Sequence, residues 1–192
     1  MKNLLLATTF VLSLFTFKSN AQNVSVEKNI TGIQIGPLGV WINDEFRLTN
    51  KIALRAEAGL AAGYWAGTQY EGLGFLLTPV IRAEPRLYYN LEKRVKKDRN
   101  IKSNSGNFLA LQTSYYPDWF VIAQDGDDII VRDQISFVPT WGIRRALGNH
   151  FDYEAGFGIG YVHVFKKERG SYNYKADNDA VVNVHLRIGY HF

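Results

Sequence analysis

Val182-Asn183-Val184-His185-Leu186-Arg187-Ile188-Gly189-Tyr190-His191-Phe192 is the stretch that decides the fold. Val182, Val184, Leu186, Ile188, Tyr190 and Phe192 are apolar, and Asn183, His185, Arg187, Gly189 and His191 stand between them. A period of two makes this a strand with one apolar and one polar face. Phe151, Tyr153, Ala155, Phe157, Ile159 and Tyr161 repeat the design against Asp152, Glu154, Gly156, Gly158 and Gly160.

The same alternation runs back through the chain. It is present at Ile135–Arg144, Leu109–Tyr116, Phe75–Tyr89, Ile52–Ala61 and Val40–Leu48. Tight turns at Thr49-Asn50 and Gly148-Asn149 alternate with longer polar connections at 66–72, 123–133 and 166–179. Parity then asks for one more ascending strand before Val40, and Lys28–Ile35, joined through Gly36-Pro37-Leu38-Gly39, supplies it. The expected fold is all-β, an eight-stranded antiparallel up-and-down transmembrane β-barrel with both termini periplasmic.

A soluble sandwich or a lipocalin-like barrel also alternates, so the contents of the polar face discriminate. That face carries glycines and strand-interior charges, which suit a narrow lumen, while Tyr, Trp and Phe gather near strand ends as membrane-interface girdles do. An eight-stranded barrel is just wide enough for side chains to fill, and buried charges must be paired. Glu45, Arg47, Arg55, Glu57, Arg82, Glu84, Arg86, Arg144, Glu154 and Arg187 are therefore expected to form a structural ion-pair network across the lumen.

Composition agrees. The chain has 192 residues, 14% of them aromatic, with 17 glycines, no cysteine and a formal charge of +4. Without cysteine there is no disulfide, thiol nucleophile or thiolate metal site. Lys2, the apolar run Leu4–Phe17 and Ser19-Asn20-Ala21 read as an export signal over residues 1–21, leaving about 170 residues, 22–192, as one domain. Asn90–Asn100 (NLEKRVKKDRN) is strongly basic and reads as a short periplasmic helical turn, either a solvated linker or a surface attracted to anionic headgroups.

Catalytic and metal readings are weak. His163, His185 and His191 with Ser114 or Ser136 could supply a base and a nucleophile, yet no local His–Ser cluster is present. Asp125-Gly126-Asp127-Asp128 lacks the spaced ligands and closing Glu of a calcium loop. No catalytic residue, cofactor or metal is assigned, and no nucleic-acid partner is expected.

The last residues, Arg187-Ile188-Gly189-Tyr190-His191-Phe192, resemble the C-terminal signal read by the barrel-assembly machinery of outer membranes. In that pattern Arg187, Gly189, Tyr190 and Phe192 hold the recognised positions, and His191, facing the other way, should matter little. Glu45-Phe46-Arg47-Leu48-Thr49, Leu54-Arg55-Ala56-Glu57-Ala58-Gly59, Glu84-Pro85-Arg86-Leu87-Tyr88-Tyr89-Asn90 and Trp141-Gly142-Ile143-Arg144-Arg145 resemble the small outer-membrane β-barrel (porin-like) proteins of Bacteroidetes-type Gram-negative bacteria. The resemblance implies location in the cell outer membrane, with outer-membrane lipid and the assembly machinery as partners, and transfers no active site. The expected role is a non-enzymatic envelope or surface-interaction protein. A conduit for small solutes or hydrophobic ligands is the alternative, and an outer-leaflet lipid A-modifying enzyme is third.

Overall fold

A computed structural model describes residues 24–66, 73–123, 131–169 and 172–192. The expected leader, residues 1–21, and the acidic segment Asp125–Asp128 lie outside the described residues. The strands are β1 (Asn29–Gly36), β2 (Gly39–Arg47), β3 (Ile52–Ala66), β4 (Leu73–Tyr88), β5 (Asn107–Tyr116), the short β6 (Ile122–Ala123), β7 (Gln134–Leu147), β8 (Phe151–Val164), the hairpin β9 (Lys167–Arg169) and β10 (Tyr172–Tyr174), and β11 (Asp177–His191). Between β4 and β5 lie a five-residue helix α1 (Leu91–Val95) and a single 3-10 turn (Lys102–Asn104).

Among the described residues, eight long strands close an antiparallel ring in the order β1-β2-β3-β4-β5-β7-β8-β11, with β11 returning to β1. The closing seam pairs Gly32 with His191 and Ile35 with Ile188. All eight strands expected from the alternation are present, including the one before Val40. Two features were not foreseen: β6 adds to β4 at Leu76 and Leu77, and β9–β10 forms a separate hairpin beyond the ring.

The period of two sets which side chains enter the ring. Buried and exposed residues alternate strictly along β1, and along β11 from His185 to His191. The inward set is polar: Gln34, Glu45, Arg55, Glu57, Arg82, Glu84, Arg86, Arg144, Asp152, Glu154 and Arg187 are all buried. Ile42, Ile81, Leu109, Phe157, Val182, Val184, Leu186 and Ile188 face outward and are exposed. Most of the strands' hydrocarbon thus lies outside the ring, although Trp41, Val80 and Val138 are buried among the inward residues.

The apolar core that exists lies at one end of the ring. Val26, Ala53, Tyr88, Leu91 and Phe108 are packed together there, with Val24, Ile101 and Ala110 against them. Gly142 makes room for Phe108, because a Cβ at that position would overlap its ring. The turn into β8 needs Gly148 at φ +69°, a conformation that residues with a Cβ seldom adopt.

Candidate functional site

The interior splits into a charged plug and a cavity stacked above it. In the plug, five arginines (Arg55, Arg82, Arg86, Arg144 and Arg187) meet five carboxylates (Glu45, Glu57, Glu84, Asp152 and Glu154). Arg86 on β4 grips Glu154 on β8 with two parallel bonds, Nη1 to Oε2 at 2.7 Å and Nη2 to Oε1 at 2.8 Å. Paired bonds of this kind are the strong form of the interaction. Arg144 on β7 reaches Glu45 on β2 at 3.0 Å, and Arg187 on β11 reaches Glu57 on β3 at 2.9 Å. None of these strand pairs are neighbours in the ring, so the pairs act as struts across it.

Neutral groups satisfy what the ions leave over. Gln34 Oε1 accepts from Arg55 Nη2 at 2.7 Å, Ser114 Oγ accepts from Arg82 Nε at 2.9 Å, and Glu45 Oε1 accepts from Tyr88 at 2.9 Å and Asn104 Nδ2 at 2.6 Å. The Arg86 guanidinium stacks 4.3 Å over the Phe108 ring, and Arg187 lies 4.2 Å over Trp41. Such stacking suits a planar, weakly hydrated cation.

Of the ten residues expected in the network, nine are in it and Arg47 is not. Arg47 ends β2 one inward step below Glu45, is only half-buried, and makes no ion pair among the described residues; its Nε has no partner. Asp152, His185 and Gln34 join the network, although the expected ion-pair set did not include them. Their inward parity was readable, but Gln34 and His185 are neutral groups on which a rule of pairing opposite charges does not act, and Asp152 is two places along β8 from Glu154, the acid in register with Arg144.

The end of the ring that carries the apolar core is sealed by the connection between β4 and β5. The helical turn expected over Asn90–Asn100 is present as α1, but the chain then doubles back, and Ser103, Asn104 and Ser105 are buried under the plug. Ser103 and Asn104 hold consecutive left-handed conformations, φ 52° and 56°, which turn the backbone toward the N-terminal segment. Glu27 N donates to Asn104 Oδ1 at 2.7 Å, and Ser103 N donates to Glu27 Oε1 at 2.5 Å. Backbone in this region costs on the order of 1 kcal/mol or more per residue, and the four-way clasp with Glu27 and Glu45 offsets it. At the exposed helix, Lys51 donates to Glu92 at 2.8 Å and holds that carboxyl below its ordinary range.

Ser103, His191 and Asp152 fall in the order hydroxyl, imidazole, carboxylate: Ser103 Oγ is 2.8 Å from His191 Nε2, and His191 Nδ1 is 3.4 Å from Asp152 Oδ2. That is the order of a hydrolytic triad. Ser103 is 1% exposed, however, leaving no space for a substrate carbonyl. His191 Nε2 is also 3.2 Å from the Asn149 carbonyl, and Nδ1 has no hydrogen-bond partner, so Asp152 does not orient the ring as the acid of a triad does. Ser103 and His191 fasten the terminal strand to the seal, a packing role separate from the assembly signal in which His191 is expected to matter little. No hydrogen bond joins a histidine to Ser114 or Ser136 among the described residues; Ser114 serves Arg82, and His163 contacts Asn178 at 2.6 Å.

Above the plug is a cavity of about 490 Å³. Trp41, Arg82, Gln112, His185 and Arg187 form its polar side, and Leu38, Leu76, Val138, Val164 and Val181 are among its apolar lining. No cluster of three or more His, Cys, Asp or Glu residues placed to hold a metal occurs among the described residues. Comparison of the chain with protein-family models, with curated proteins and with solved structures gives no match.

Proposed function

We propose that the chain is an eight-stranded transmembrane β-barrel of a bacterial outer membrane, exported by cleavage near Ala21, and that it serves there as a non-enzymatic envelope or surface-interaction protein. The observation that carries this reading is the inverted polarity: Ile42 is 61% and Leu186 60% exposed on the outside, while Glu45, Arg55, Glu84, Arg86 and Glu154 are fully buried inside. A continuous exposed apolar belt is untenable for a monomer in water, and closed barrels are one of two ways a backbone crosses lipid. With no helix among the described residues long and apolar enough to span a membrane, the strands are the candidates.

Two further observations support the reading. At the sealed end, Tyr89, Trp141, Phe151, Tyr190 and Phe192 are exposed together on the outer surface, with Trp141 Nε1 donating to Tyr89 at 2.9 Å. Amphipathic aromatics of this kind sit at headgroup level. Just beyond them, Lys93, Arg94, Lys97, Arg99 and Arg145 line a pocket beside Tyr89. Burial and the neighbouring Arg145 and Arg99 guanidiniums push the Arg94 group below its ordinary value. A concentrated positive charge next to an aromatic girdle suits anionic headgroups of the inner leaflet, which gives the basic segment the second of its two sequence readings. Likeness to the small barrel proteins of Bacteroidetes-type bacteria fits this placement.

The test is fractionation. The protein should co-sediment with outer membrane, resist carbonate extraction and run faster on unheated than on heated gels in mild detergent. Recovery as a detergent-free periplasmic monomer would sink the proposal.

A further inference from the structure

The ring is not equally tall all round. Pairing of β1 with β2 ends at the Gly36–Gly39 turn, and the last paired residue of β3 toward β2 is Ala61. From Ala62 to Ala66, β3 has ladder partners on β4 alone. On the other side, β11 from Asp177 to Leu186 is laddered to β8 alone, because its register with β1 begins at Ile188. Above the β1–β2 turn, β3 and β11 thus stand with two strands missing between them, a breach of about 14 Å from the usual spacing between strands.

The breach opens sideways through the apolar belt. Val182 and Val184 of β11 face outward and are exposed above the end of β1, opposite the outward-facing Ile159 and Phe157 of β8. The same Val182 and Val184 line the interior cavity, together with Leu38, Ala62 and Gly63. The lining is unbroken from Val181 to Arg187, as expected where a cavity opens at the edge of β11 that β1 leaves unpaired.

Its floor is a collection of donors without a carboxylate. Among the described residues, Arg82, Arg132 and Arg187 line the cavity and no Asp or Glu does. Arg82 and Arg187 both rest on Glu57, which also holds Arg55 at 2.5 Å, so three guanidiniums share that one acid. Trp41, Gln112 and Arg187 are at least nine-tenths buried, and Trp41 Nε1, Gln112 Nε2 and Arg187 Nε have no hydrogen-bond partner. These three belong to a wider set of unpartnered buried groups that extends down through the plug to Arg86 and Arg144, and those beside the cavity call for an acceptor.

We propose that the cavity holds a single-chain organic anion, a long-chain carboxylate, which enters sideways from the lipid through the breach above the β1–β2 turn. The carboxylate rests on Arg187, Arg82 and Gln112, and the hydrocarbon runs out past Val181, Ala62 and Leu38. The size fits, since ligand sites commonly occupy roughly 300–1,000 Å³. The route rests on the membrane reading; the floor rests on the interior geometry alone.

The experiment uses the mature chain in lipid nanodiscs, titrated with tritiated palmitate and, in parallel, with tritiated hexadecanol, with empty discs subtracted. Palmitate should bind saturably at one per chain, and hexadecanol should only partition. Gln112→Leu replaces a partnerless buried amide by hydrocarbon of similar volume, so thermal stability should hold while palmitate affinity falls roughly tenfold, the worth of one bond to a charged group. Ala62→Phe narrows the breach and should slow palmitate uptake. Equal behaviour of acid and alcohol in chains that float with the lipid means a cavity filled by solvent and overturns this proposal alone. Unchanged affinity in Gln112→Leu overturns the assigned floor, and failure of the chain to float with lipid removes the route and the membrane reading together.

Discussion

Glu154 and Glu84 occupy the same plug but hold unequal shares of it. Glu154 takes both nitrogens of Arg86 and has Arg55 and Arg144 at 3.6 Å, whereas Glu84 makes one 3.1 Å contact with Arg86 and leaves Oε1 unpartnered. Removing one partner of a buried pair costs about 3–5 kcal/mol because the other charge stays buried and alone. Glu154→Ala should therefore lose about that much in a urea titration in detergent, while Glu84→Gln should lose under about 2 kcal/mol because Arg86 keeps its main partner. Ser103 gives a second test at this scale: despite its His191 and Asp152 neighbours it is enclosed, so a fluorophosphonate probe should leave the folded protein unlabelled. Stoichiometric labelling lost in Ser103→Ala would reinstate it as a nucleophile. Parity along each strand told which charges point inward, and that is why nine of the ten expected residues meet. It did not tell which would find partners: Arg47 has the right facing but lies below the plug, and Ser103 acts through a contact 88 residues away in sequence.

The terminal strand and the connection that seals the ring show what sequence patterns resolve at the level of elements. Alternation defines β11 from Val182 on but misses its start at Asp177, inside the connection expected at 166–179, and it finds β1 only through the demand that strands come in pairs. It says nothing about the height of the β1–β2 turn relative to its neighbours, since that follows from register across the seam. The basic run at 90–100 was legible as a helical turn because composition is local. The burial of Ser103 and Asn104 beneath Glu45 was not, because it is decided by contacts with Glu27 and His191 from both ends of the domain. For β11 this separates two adjacent residues. Phe192 is 77% exposed and packs edge-on against Tyr190 at 5.5 Å, outside the plug. His191 is buried against Ser103 and Asp152. Deleting Phe192 should cut the folded yield in outer-membrane fractions and leave the urea midpoint of the surviving protein unchanged. His191→Asn should do the reverse, preserving yield and lowering stability by about 1–3 kcal/mol, the cost of leaving buried partners unsatisfied. A lower yield from His191→Asn with Phe192 deletion silent would show that assembly reads the inward face of this strand.

At the scale of the whole molecule, the ring is a cup rather than a tube. Its charged plug balances five arginines against five carboxylates and fills the cross-section of an interior that eight strands leave barely wide enough for side chains. Beneath the plug, Val26, Tyr88, Leu91 and Phe108 add a second, hydrocarbon closure. An ion crossing from end to end would have to displace both, and neither responds to solvent conditions in the way exposed pairs do. Surface ion pairs fade at high salt, where the screening length drops to about 3 Å, but pairs excluded from water are screened far less. Planar bilayers carrying the protein in concentrated potassium chloride should accordingly show no stable single-channel steps, at low or high salt alike. The cavity above the plug does not alter this expectation, because its floor is the plug itself, at Arg82 and Arg187. Ligand entry through the wall and ion passage along the axis are thus separable: Ala62→Phe should change palmitate uptake and leave conductance at zero, whereas Glu154→Ala, if it folds, is the variant expected to leak. Discrete, salt-dependent steps in the unmodified protein would mean that the struts from Arg86 to Glu154 and from Arg144 to Glu45 part in the membrane, and the protein would then be a pore.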